Sequence, residues 1–439
     1  MRISVPPDSG NISVIHADHS QDIHVHIRPD NRANAYQWFY FVMEGRAHET
    51  FVLHIDNAGG ASYPGWDQFG VSYRATGSVD DVHWSRLDTK YDRDTGVLTV
   101  QGQMTTARMA VAFFPPYSYE RHVNLIAKAR TLPHCNLSSL GKSVEGRDIT
   151  VLTCGRSDPN KKHLWVIARQ HPGETMAEWY VEGMVEYLAS DTDLSDFFQQ
   201  AVLHIVPNMN PDGTYHGNLR TNALGKDLNR QWSVMDNQNT APEVYTVRNA
   251  ILQEGVAAVF DIHGDETHPY VFLNGQNVDC AVDPESCVLE KMFRDAYQQE
   301  NPYLQSQSCY AMPTSGFSDL NIAKNFFAER VHCMAFTVEM PDKELLLEQT
   351  ADGTQITRDW TPEDCKQFGA QWFAAVQQVI PRLSNKRWKT PTALTGVNHK
   401  LHTFSPIHTF GSGEASHPIL GIIMVMTKLF MNFRFLHIV

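Results

Sequence analysis

HLWVIARQHPGETMAEWY, residues 163–180, passes from an unbroken apolar run through a Pro-Gly turn into helical spacing. An apolar run of that length, bounded by turn residues, reads as a strand buried on both faces, which is the habit of parallel sheets covered by helices. Beyond the turn, Met176, Tyr180, Met184, Tyr187 and Leu188 fall near one face of a helix expected over Glu174 to Ala189. The same alternation recurs downstream: AVLHIVPN, GVAAVFDIHG and MAFTVEMP are further strand candidates, and Pro242 to Glu254 repeats the helical pattern. TPEDCKQFGAQWFAAVQQVIP reads as a closing helix, with Thr361 as N-cap, Pro362 at the first helical position and Pro381 as the stop. The implied fold class is α/β.

Upstream the rhythm differs. From Trp38 to Phe114 come short runs rich in β-branched and aromatic residues (WFYFVM, TFVLHID, GVSYRAT, GVLTVQG, RMAVAFF), separated by Gly, Asn and Asp. These predict an N-terminal antiparallel β-sandwich over residues 1–117, ended by the Pro-rich FFPPYSYERH. A chain of 439 residues exceeds the size at which one core keeps growing, so a second domain over 118–383 follows naturally. Residues 384–439 are polar and His-rich, then apolar from Ile419, and form a tail of unassigned role. Its apolar end meets Lys428 after about nine residues, short of the ~20 that a membrane span needs.

A formal net charge of -13 opposes attraction to nucleic acid or anionic membrane, so no nucleic-acid partner and no stable membrane association are expected. MRISVPPDSGNISV lacks the apolar core of a secretory signal, and seven scattered cysteines without a C-x-x-C pair read as reduced thiols in a cytoplasmic protein. Oligomeric state is not legible.

His171 and Glu174 sit where the first strand gives way to a helix, and His263 ends another predicted strand. Open α/β sheets place ligands at that edge, and two imidazoles with one carboxylate form the three-ligand set of a catalytic zinc that keeps its fourth position open. H-x-x-E alone is weak: among 21 histidines, His263-Gly-Asp-Glu266 matches it as well. Arg220, Asn229 and Arg230 share a Gly- and Asn-rich loop and could grip a carboxylate through the planar guanidinium fork, although solvated loop arginines are common. Glu339, at the end of an apolar strand, is costly there unless it is paired or acts as a base.

Taken in order, HPGET, NPDG…GN-x-R…G-x-DLNR-x-W, DIHG and TVEMP resemble the M14-type zinc carboxypeptidases, specifically the cytosolic carboxypeptidase branch with its deglutamylases and bacterial members. The preceding sandwich is similar to the N-terminal domain of that branch, so the resemblance spans about residues 1 to 382. It implies a mixed central sheet flanked by helices, and one Zn2+ per chain on His171, Glu174 and His263. It also implies that Arg220 steadies the oxyanion, Asn229 and Arg230 hold the terminal carboxylate of a peptide or protein, and Glu339 is the general base. A substrate-closing tyrosine is expected, with Tyr310 as the candidate. The branch implies removal of an acidic C-terminal residue, glutamate, with Lys324, fifteen positions before Glu339, as the local positive charge. Two other readings stay open: an N-acyl amino acid deacylase of the aspartoacylase kind, and an inactive module that binds acidic C-termini.

Overall fold

The computed structural model describes residues 1–156, 158, 160–275, 284–310, 319–350 and 353–387. The tail assigned above lies outside the described residues from 388 onward, its apolar end included.

The N-terminal part consists of two five-stranded sheets. One is built from Arg2–Ser4, Tyr40–Glu44, Arg108–Ala112, Thr76–Ser78 and Ser85–Arg86, in that order. In the other, the order is Ser13–His19, Asp22–His26, Thr50–Ile55, Val97–Gln103 and Asp88–Asp92. Pairing is antiparallel except between Asp22–His26 and Thr50–Ile55, which run parallel. Alternation decides which side chains are buried: Phe51, Leu53 and Ile55 are fully or almost fully buried, while His54 between them faces outward and is half-buried. The expectation of a strand over GVSYRAT fails. Phe69 and Gly70 turn the chain through positive φ (58° and 74°), and the segment then supplies Tyr73 to stack on Phe113 at 5.1 Å instead of joining a ladder. Only Thr76–Ser78, at its far end, is strand.

The second part is centred on a seven-stranded mixed sheet. Its strands are Cys135–Lys142 (β1), Asp148–Cys154 (β2), Lys162–Ala168 (β3), Ala201–Val206 (β4), Ala258–Ile262 (β5), Phe272–Asn274 (β6) and Met334–Glu339 (β7), in the order β1-β2-β4-β3-β5-β7-β6. The four apolar runs read from sequence are β3, β4, β5 and β7; these run parallel, and nearly every residue in them is buried. The hairpin β1–β2 and the short β6 are antiparallel margins. Helices Met176–Leu188 (α1), Pro242–Glu254 (α2), Pro284–Glu300 (α3) and Pro362–Gln377 (α4) accompany the sheet. α4 begins with a full capping box in which the Thr361 side chain accepts from Asp364 N–H and Asp364 reaches back.

The reduced-thiol expectation is corrected. Cys135 and Cys154 face each other across the β1–β2 hairpin and form a disulfide, and Cys287 is disulfide-bonded as well, whereas Cys309 and Cys365 carry no disulfide. The first pair is nineteen positions apart in sequence, and only strand register reveals that they meet. No helix among the described residues is long and apolar enough to cross a membrane.

Candidate active site

At the end of β3 the chain must leave the sheet abruptly. Arg169 does so with φ 61°, in the left-handed region that a non-glycine residue occupies only when its surroundings enforce it. Its buried guanidinium donates to Pro172 O at 2.7 Å and to Glu178 Oε2 at 2.8 Å, tying the turn to the first helical turn of α1. Gly173 then lies against the next loop: a Cβ there would stand 2.9 Å from Leu219 Cδ1 and 3.0 Å from Leu219 O. That close approach brings the HPGE turn beside Arg220, and the Gly173 N–H donates to Leu219 O at 2.8 Å.

Three side chains from β3's exit and β5's exit converge. Glu174 Oε1 is 2.5 Å from His171 Nδ1, and Oε2 is 2.8 Å from His263 Nδ1. The two imidazole centroids are 4.8 Å apart, and all three residues are buried. Each ring turns its other nitrogen to a carboxylate: His171 Nε2 lies 3.1 Å from Asp227 Oδ1, and His263 Nε2 lies 2.9 Å from Asp261 Oδ2. This is the outer layer that metal-ligating histidines ordinarily carry, fixing the tautomer and aiming Nδ1 at a common point. The sequence reading missed both aspartates. Asp261 does carry a signal, a charge in the apolar run AVFDI, two residues before His263 and so on the same strand face.

The donor set fits a divalent cation. Burial would raise the pKa of Glu174, but His171 and His263 beside it hold the carboxyl well below its usual range. Burial pushes Glu339 well above that range, with Glu174 and Asp265 adding to the effect against the opposing pull of His263. Glu339 Oε2 is buried without a hydrogen-bond partner among the described residues. A cation at the His–Glu–His focus compensates this crowding of acids and suits a two-imidazole, one-carboxylate set.

The remaining predicted residues divide into those at the site and one behind it. A cavity of about 350 Å³ is lined by His171, His263, Arg220, Asn229, Arg230, Tyr310 and Glu339, among others. Tyr310 Oη lies 2.6 Å from Asp265 Oδ2 and 3.1 Å from Glu339 Oε1, so its single proton has two competing acceptors. Arg220 Nε donates to Asp227 Oδ2 at 2.7 Å, while Asn229 Oδ1 accepts from Ala323 N–H at 2.8 Å. Arg230 is exposed at the rim. Lys324 is not among the lining residues: it is buried, donates to Gly275 O at 2.7 Å, and burial pushes its pKa down to about 8.

Loops of the N-terminal part contribute two residues that the sequence reading left out. Tyr63 lines the cavity with its ring 5.3 Å from the Arg220 guanidinium carbon. Asp30 accepts from the backbone N–H groups of Leu219, Arg220 and Thr221 at 2.6, 3.0 and 2.8 Å and from the Thr221 hydroxyl at 2.8 Å. It thus fixes the loop from which Arg220 projects. Asp30→Ala strands buried donors, so it is expected to lower Tm and, by loosening Arg220, to reduce kcat/KM about ten- to a hundredfold, or about 1.4–2.7 kcal/mol. Parallel thermal melts and steady-state kinetics would check this; unchanged kinetics would mean the loop holds without its acceptor.

A family model described as zinc carboxypeptidase matches residues 124–363, and one for the cytosolic carboxypeptidase N-terminal domain matches residues 3–114. The chain belongs to the zinc carboxypeptidases. This carboxypeptidase is 37% identical over 386 residues to a Zymomonas mobilis protein, covering 87% of this chain and 97% of the relative. It is 24% identical to cytosolic carboxypeptidase 6 of Caenorhabditis elegans, with 64% of this chain and 65% of that protein covered. Among solved structures it is similar to metallo-carboxypeptidases of Burkholderia cenocepacia (35% identity, TM-score 0.78, 87% of this chain and 99% of that one) and Pseudomonas aeruginosa (36%, 0.78, 87% and 99%). The Pseudomonas enzyme was solved with (2-guanidinoethylmercapto)succinic acid. The carboxypeptidase is therefore a metallopeptidase, and the deacylase reading gives way to it.

Proposed function

We propose that this carboxypeptidase removes one acidic residue, preferentially glutamate, from the C-terminus of peptides or proteins, with a single Zn2+ held by His171, Glu174 and His263. The observation that carries the reading is the shared cavity, in which both imidazoles of the His–Glu–His focus, a carboxylate with an unpartnered oxygen and two arginines line one space. When bound, zinc supplies Lewis-acid polarisation of the scissile carbonyl and lowers the pKa of water toward ~7.

The chain's own groups have separable duties. Glu339 takes the proton of the attacking water and returns it to the departing amine. Arg220 offers its positive charge to the oxyanion, a contribution of about 3 kcal/mol where such donors have been removed from other enzymes. Asn229 and Arg230 hold the terminal carboxylate, which fixes which peptide bond is cut. Tyr310 closes over the scissile bond and shields Glu339 from solvent. Relatives named cytosolic carboxypeptidases support a cytoplasmic setting. The Pseudomonas relative was solved with a compound bearing two carboxylates, which supports a site that holds a carboxylate group.

Lys324 supplies the positive charge behind the acid-accepting pocket, acting through the Asn274–Gly275 strand end, to which it is hydrogen-bonded. A panel of peptides differing only in their last residue should show highest kcat/KM for Glu. Lys324→Ala should cost about ten- to a hundredfold on C-terminal Glu and under about threefold on an apolar residue. Equal loss on both substrates removes the assignment. The pH dependence has a definite sign. With its pKa near 8, Lys324 is cationic below that value and neutral above it, so the preference for Glu declines as pH rises through about 8. Because the unfolded chain keeps this proton up to about 10.5, stability gains from Lys324 between those values, opposite in direction to selectivity.

A further inference from the structure

The N-terminal sheet built on Ser13–His19, Asp22–His26 and Thr50–Ile55 carries a second set of side chains able to ligate a metal, none of which has a role above. His24 and His54 are register partners on adjacent parallel strands, and His16 is the register partner of His24 on the other side. Three imidazoles therefore stand in a row across three strands, because register partners share a sheet face. Asp22 lies two residues before His24 and Asp56 two after His54, which puts both carboxylates on that same face. We propose that Asp22, His24 and His54 form a second divalent-metal site of borderline-soft character, taking Zn2+, with His16 available as a fourth ligand.

The hydrogen bonds already sort the nitrogens. His24 Nδ1 is 2.9 Å from Asp56 Oδ1, leaving Nε2 on the side of Asp22, whose Oδ1 is 3.2 Å away. His54 Nδ1 is 3.1 Å from Thr99 Oγ1, which leaves its Nε2 as the ligand atom. Asp56 orienting His24 repeats the arrangement by which Asp227 and Asp261 orient His171 and His263. The ligand atoms of Asp22, His24 and His54 lie within 4.8 Å of one another, the same limit met by His171, Glu174 and His263. Zinc bonds of about 2.0–2.1 Å place tetrahedral ligands about 3.3 Å apart, so small side-chain rotations close the set. Freedom for that exists, since the Asp22 and His24 side chains are 60% and 33% exposed. His16 Nε2 is 3.8 Å from Asp22 Oδ2 and approaches from the same edge. Two imidazoles and a carboxylate favour zinc, nickel or copper over the hard cations magnesium and calcium.

The test is a Zn2+ titration of the metal-stripped full chain by calorimetry, beside metal analysis and thermal melts. The wild type should bind two equivalents. His24→Ala/His54→Ala should bind one while keeping its melting behaviour and full peptidase activity with zinc; Asp22→Asn should weaken the second event at least tenfold. His171→Ala/His263→Ala should keep the event that the first double variant loses. Anomalous scattering at the zinc edge should place an ion between His24 and His54. A wild type that binds one equivalent, or a His24→Ala/His54→Ala protein that still binds two, overturns the proposal.

Discussion

Glu339→Gln is expected to lower kcat about 10³- to 10⁴-fold, the upper range for loss of a positioned general base, while zinc content and melting temperature stay at wild-type values. The side chain is buried at the end of β7 and touches Tyr310 through Oε1, a contact the amide preserves. What the amide cannot do is accept and return a proton. Steady-state kinetics with a peptide ending in Glu, paired with metal analysis, would read both effects. The outcome also separates the enzyme from an inactive binder of acidic tails: wild type and variant equally inert, yet binding peptide equally well, would remove the proposed mechanism.

His171→Ala should have a comparably large effect by a different route. It removes one of two imidazoles whose Nδ1 atoms face Glu174, so the chain should lose zinc on dialysis and retain less than about a thousandth of wild-type kcat. Asp227, which gains from both His171 and Arg220, loses one of these partners, and of its two imidazoles Glu174 keeps only that of His263. Leaving buried carboxylates short of positive charge commonly costs about 3–5 kcal/mol, so the metal-free variant should also melt well below the metal-free wild type. Full metal occupancy in this variant would show that the ion is held elsewhere.

The central sheet is legible in the sequence because β3, β4, β5 and β7 are dominated by apolar residues and lie near Gly, Pro or Asn, and burial on both faces favours that pattern. The helix bounds follow from local chemistry at Thr361 and Pro242, where capping and a fixed φ act without tertiary help. By contrast GVSYRAT shows strand composition, yet positive φ at Phe69 and at its own first residue, Gly70, diverts it, and propensity gives no warning of that. The meeting of His171 with His263 depends on the parallel pairing of β3 and β5, so local spacing could only nominate each residue separately. Asp30 and Tyr63 were illegible for a stronger reason. Their partners lie more than 150 residues away in a loop of the second part, and nothing near either residue marks it as different from an ordinary surface Asp or Tyr.

The N-terminal sheets also grip the far side of the cleft: Lys343, four residues past Glu339, donates to Gly65 O at 2.6 Å, and Arg86 donates to Asp342 O at 2.9 Å. Arg220 and Glu339 are thus braced from one frame, like two jaws bolted to a common vice. A gene encoding residues 118 onward by itself should yield a protein whose jaws splay, and co-expression of the missing piece in trans should bring them back into alignment.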